Sequence, residues 1–116
     1  MCRYGSYILF VVFLWLALTY GTSPSHAAEP ATFGVIARDG QLHPARIEVP
    51  ANTKIKLALE NAGRAPVEFE NLDLRIEKVL APGAKSFVVI HPLRPGSYRF
   101  IDEFHADTAE VMLVAK

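Results

Sequence analysis

Residues 54–60 read Lys-Ile-Lys-Leu-Ala-Leu-Glu, with Ile55, Leu57 and Leu59 on one face and Lys54, Lys56 and Glu60 on the other. A period of two is that of a half-buried β-strand, because successive side chains leave a strand on opposite sides. The same pattern recurs in short runs: Phe33, Val35 and Ala37; residues 45–49, closed by Pro50; Val67 and Phe69 against Glu68 and Glu70; the β-branched run 85–90; Tyr98 and Phe100; Val111 and Leu113. Turn chemistry separates them at Asp39-Gly40, Ala51-Asn52-Thr53, Asn61 to Pro66, Ala81-Pro82-Gly83-Ala84 and Pro95-Gly96. Residues 71–77 fit either an alternating strand (Leu72, Leu74, Ile76) or a short helical turn. The spacing predicts an all-β sandwich or barrel of seven or eight short strands.

The first residues carry a different signal. Arg3 precedes an almost purely apolar run over residues 7–18, followed by the small-residue site Ser25-His26-Ala27. This is the pattern of a secretory signal peptide, cut after Ala27. The apolar run is shorter than the roughly 20 residues that span a bilayer. Cys2 stands before the run, on the wrong side for a lipid-modified cysteine. The expected organisation is a signal peptide over residues 1–27 and one domain over residues 28–116, with a periplasmic location in a Gram-negative cell. That domain carries 11 basic and 12 acidic residues and no cysteine. It therefore has neither disulfide nor thiolate ligand, and no basic excess to recruit nucleic acid or a membrane surface.

Residues 102–110 hold four carboxylates and one imidazole, with no Lys or Arg among them. Carboxylates at this density repel one another and gain from a bound cation. A solvated acidic loop is the alternative. His105 is the loop's one histidine, and Asp102 lies three residues before it. Glu110 enters the last strand, while Asp107 suits a turn-initiating role. Glu68 and Glu70 share a strand face, so that one can reach the loop while the other flanks it. His43 and His91 each precede a proline in a connection and read as surface residues. The motifs assemble neither a Gly-rich phosphate loop nor a Ser/His/Asp triad, so hydrolase chemistry has little support.

Two segments resemble cupredoxins. Asn61-Ala62-Gly63-Arg64-Ala65-Pro66 is similar to their Asn-x-Gly-x-x-Pro-His segment, and Pro95-Gly96-Ser97-Tyr98-Arg99-Phe100 with His105 to their Pro-Gly-x-Tyr-x-Phe-x-Cys-x-x-His segment. Glu68-Phe69-Glu70, the run 77–83 and residues 104–109 resemble the cupredoxin-like proteins associated with bacterial high-affinity iron permeases. The resemblance implies a Greek-key β-sandwich and a metal ligand set of His105, Asp102, Glu68 and Glu110. Val67 and then Glu68 stand where the family has its first histidine, and Asp102 stands where it has cysteine. A blue-copper site depends on a copper–thiolate bond, so no type 1 copper is expected. Oxygen donors with one imidazole suit iron, Mn, Zn or Cu(II) and disfavour Cu(I). The expected cofactor is thus a copper or iron ion. The expected role is Fe(II) binding, oxidation or delivery, with an inner-membrane iron permease or an associated periplasmic protein as partner. The rival is a metal-free sandwich whose acidic loop docks on a basic partner. The processing expectation has a direct check: N-terminal sequencing of the exported protein should begin at Ala28, and a mature chain that retains Trp15 would contradict it.

Overall fold

The computed structural model describes residues 20–23 and 29–116. Cys2, the apolar run 7–18 and the expected cut after Ala27 lie outside the described residues. Nine strands follow in order: β1 (Ala31–Arg38), β2 (Gln41–His43), β3 (Arg46–Val49), β4 (Ile55–Asn61), β5 (Val67–Asn71), β6 (Ile76–Leu80), β7 (Lys85–Ile90), β8 (Gly96–Asp102) and β9 (Glu110–Ala115). One 3₁₀ turn, η1 (Glu103–His105), joins β8 to β9. No helix among the described residues is long and apolar enough to cross a membrane.

The strands form two sheets, ordered β2-β1-β4-β7 and β3-β9-β8-β5-β6. β1 runs parallel to β4 and β3 parallel to β9, and the other pairings are antiparallel. This is the expected all-β sandwich. The count exceeds the sequence reading because the stretch around Leu42 forms a strand of its own. Asp39 (φ 50°) and Gly40 (φ 72°) make a two-residue hairpin loop with both residues left-handed, which pairs Arg38 with Gln41. At Ala81-Pro82-Gly83-Ala84, Pro82 presets the turn, Gly83 takes φ 78°, and the Ala84 N–H donates to the Ala81 carbonyl at 3.0 Å.

The ambiguous stretch after β5 is a turn. Asn71 accepts the Leu74 N–H on its side-chain oxygen at 2.9 Å, and Arg75 takes a left-handed φ of 56°. The Asn71 amide also donates to the Arg99 carbonyl on β8, so the turn is pinned by a distant strand.

The core lies between the sheets. Ile55, Leu57 and Leu59 of β4 are buried as their alternation predicts, and they face Val67, Phe69, Phe100, Val111 and Leu113 of the second sheet. Phe69 and Phe100, on neighbouring strands, stack with ring centroids 5.0 Å apart at 12°. Both are fully buried. Phe100→Ala should therefore cost about 3–5 kcal/mol, the range for emptying a buried aromatic site, read as a lowered denaturant midpoint at unchanged m-value.

Candidate functional site

Phe100 is followed by Asp102 at the last position of β8. Asp102 points inward from an end of the sandwich and is 1% exposed. One carboxylate oxygen, Oδ1, accepts the backbone N–H of Glu68 at 3.0 Å and that of Phe104 at 3.1 Å. The second contact caps η1, in the manner of an N-terminal Asp. The other oxygen, Oδ2, lies 2.7 Å from His105 Nδ1. Nδ1 is thus the donor to Asp102, and Nε2 is the ring's remaining nitrogen.

His105 is half-buried, and it packs on the β1–β2 hairpin. A Cβ on Gly40 would come within 3.2 Å of His105 Cδ2. The Thr108 hydroxyl donates to the Gly40 carbonyl at 2.6 Å, tying this hairpin of the first sheet to the loop after η1.

Next to the imidazole, Asn61 fixes the connection between β4 and β5. Its amide donates to the carbonyls of Ala65 and Leu80, and its oxygen accepts the Gly63 N–H. Val67 is buried at the start of β5. These elements enclose an open cleft of about 270 Å³, lined among others by Arg38, Asn61, Arg64, Val67, Asp102 and His105.

A second group lies on the outer face of β5 and β6. Glu70 and Glu77 are direct cross-strand partners. With Glu68, they bring three carboxylate oxygens within 4.8 Å of one another, the one such group of potential metal ligands among the described residues. Like charges directly opposite one another destabilise a sheet. Glu103 joins them from η1, which packs on β5. Burial, then a hydrogen bond with Glu103, then the charges of Glu103, Glu68 and Glu77 push the Glu70 carboxyl up to about 7. Glu70 is 5% exposed, while Glu77 is open to solvent.

Of the four expected ligands, the structure brings Asp102 and His105 together. Glu68 joins Asp102 through its backbone N–H, while its carboxylate belongs with Glu70 and Glu77. Glu110 stands apart, paired at 2.5 Å with Arg99 Nε. The acidic loop is thus not free of cations: Arg99, three residues before it, neutralises its last carboxylate. The four do not meet at one point, and the three-carboxylate group includes Glu77, which the sequence reading left out. The β5–β6 register was the missing signal. His43 and His91 are exposed, as expected.

Residues 8–115 match the family described as the cupredoxin-like domain. The chain belongs to that family. An uncharacterised protein of Rickettsia prowazekii (strain Madrid E) is 30% identical over 112 residues, covering 92% of this chain and 90% of its own. Among solved structures, the sandwich superposes on the metal-binding domain of the Cu(I)-exporting P-type ATPase CopA of Streptococcus pneumoniae D39, with a TM-score of 0.66 at 13% identity over 78% of this chain and 91% of that one. Dithionite-reduced auracyanin from Roseiflexus castenholzii gives a TM-score of 0.60 at 12% identity, covering 77% and 99% of the two chains.

This cupredoxin-like protein is therefore related in fold to copper-binding proteins. Its own residues do not fit a copper–thiolate centre. Val67 offers no donor atom, both Asp102 oxygens are engaged by N–H groups, and only one imidazole nitrogen is left. The carboxylate group on β5 and β6 does fit a hard cation, which favours several oxygen donors.

The raised Glu70 pKa has a consequence for stability. Between the unperturbed value of 4.5 and about 7 the folded protein holds a proton that the unfolded chain has released. Glu70 therefore contributes stability fully below pH 4.5, and that contribution is lost as pH rises through about 7. In metal-free buffer, Glu70→Gln should flatten this fall in the unfolding midpoint. A variant with the wild-type slope would show that Glu70 titrates normally.

Proposed function

We propose that this cupredoxin-like protein is an exported, periplasmic metal-binding protein that handles iron or copper through oxygen donors. The observation that carries the reading is the Glu68–Glu70–Glu77 group, three carboxylates gathered within 4.8 Å on a rigid strand pair. Antiparallel pairing opposite a like charge is unfavourable, and a cation offsets it. Glu68, Glu70 and Glu77 would hold the ion, with Glu103 beside them.

Such a donor set stabilises Fe(III) relative to Fe(II) and suits Cu(II) better than Cu(I). Binding and delivery of Fe(II), or assistance to its oxidation, follow as the roles this chemistry serves. The resemblance to iron-permease-associated proteins supports an inner-membrane permease as the receiving partner. The signal-peptide pattern supports the periplasm as the place of encounter.

Metal affinity of this kind depends on pH, because the ligands must lose their protons. With Glu70 at about 7, cation binding should strengthen as pH rises through neutrality and release a proton there. Titration of untagged protein with Fe(II) under anaerobic conditions, and with Cu(II), tests the assignment. Glu70→Gln should weaken binding at least about tenfold, or 1.4 kcal/mol, and Glu77→Gln should weaken it in the same direction. Unchanged affinity in both variants, or a loss confined to His105→Ala, would overturn the carboxylate site.

A further inference from the structure

The cleft beside His105 gathers a second set of charged groups. Arg38 ends β1, and Arg64 lies in the connection after β4. The two are 26 positions apart in the chain, and the parallel β1–β4 pairing brings the end of β1 alongside the start of the connection that carries Arg64. The Ala62 N–H donates to the Ala37 carbonyl at 2.8 Å, and a Cβ on Gly63 would stand 3.7 Å from the Arg38 Cα. Both arginines line the cleft.

The ion-paired cations among the described residues are Arg46, Arg99, His105 and Lys116. Arg38 and Arg64 are not among them. Two guanidinium groups lining one cleft repel each other, and a shared anion turns that repulsion into attraction. The planar fork of Arg matches phosphate oxygens bidentately. The carboxylates at the cleft are Asp102, spent on His105 and two backbone amides, and Asp39 at the hairpin.

His105 adds selectivity. Its Nδ1–H is committed to Asp102, so the neutral ring offers Nε2 as an acceptor. Sulfate has no proton to donate to it. Monohydrogen phosphate and a singly protonated phosphate monoester do.

We propose that the cleft formed by Arg38, Arg64 and His105 binds a protonated phosphate group, with the guanidinium groups on its oxygens and its P–OH donating to His105 Nε2. The proposal uses none of Glu68, Glu70 and Glu77, so its outcome is independent of the metal reading.

The test is an NMR titration of the protein with inorganic phosphate, glycerol 3-phosphate, sulfate and chloride at matched ionic strength. Phosphate should give a saturable shift at the His105 ring and the Arg38 and Arg64 side chains. Sulfate should bind at least about tenfold more weakly, since a site built to accept a hydrogen bond rejects an analogue that lacks the donor. Arg38→Gln and Arg64→Gln should each weaken phosphate binding about tenfold, or 1.4 kcal/mol. Both residues are exposed and make no ion pair among the described residues, so these variants should keep the wild-type unfolding midpoint. Glycerol 3-phosphate binding as well as phosphate would identify the ligand as a phosphoryl group on a small metabolite; exclusion of the ester would identify free phosphate. Equal shifts with phosphate, sulfate and chloride, or undiminished phosphate binding in the double arginine variant, would overturn the proposal.

Discussion

The carboxylate of Asp102 is buried under the end of the second sheet, with three N–H groups around it. A buried carboxylate is costly unless its lone pairs are satisfied. Here the donors come from β5, from η1 and from an imidazole, so satisfying the charge also sets the position of each. The Glu68 N–H holds the start of β5 against the end of β8. The Phe104 N–H closes η1, and the His105 ring is turned with one nitrogen inward. Removing this carboxylate would leave backbone donors unpaired and let the imidazole rotate. Where the family resemblance leads one to expect a sulfur ligand, this chain has instead a hydrogen-bonded anchor.

That anchor separates two kinds of charge. On the outer face of β5 and β6, Glu68, Glu70, Glu77 and Glu103 crowd together with the burial of Glu70 opposing its ionisation. At the end of the sandwich, Arg38 and Arg64 line the cleft beside His105. The exposed Arg99–Glu110 and Arg46–Glu48 pairs are solvated and contribute little to stability.

The strands were legible wherever one face is buried: Ile55, Leu57 and Leu59 are inward because period two leaves no other arrangement. Asp39-Gly40 and Pro82-Gly83 announced their turns through residue chemistry alone. The turn after β5 was not legible, because it depends on the Asn71 amide reaching the Arg99 carbonyl 28 positions away. The pairing of Asp102 with His105 follows from their local spacing, and the sequence reading placed them together. Glu77 opposite Glu70, Arg99 on Glu110, and Arg38 and Arg64 on one cleft are products of how the strands pair. A single sequence read along its length does not contain that register.

β9 occupies an interior place in its sheet, between β3 and β8, although it is the last of the nine described strands in sequence order. Until residues 110–115 are available, β3 has no neighbour in that sheet and β8 lacks one of its two. The Thr108–Gly40 bond spans 68 positions and likewise closes only when the carboxyl-terminal loop arrives. Contacts this distant must overcome loop-closure entropy before they stabilise anything, which slows folding. The second sheet is thus completed from its middle, by the strand that the chain supplies after the other eight.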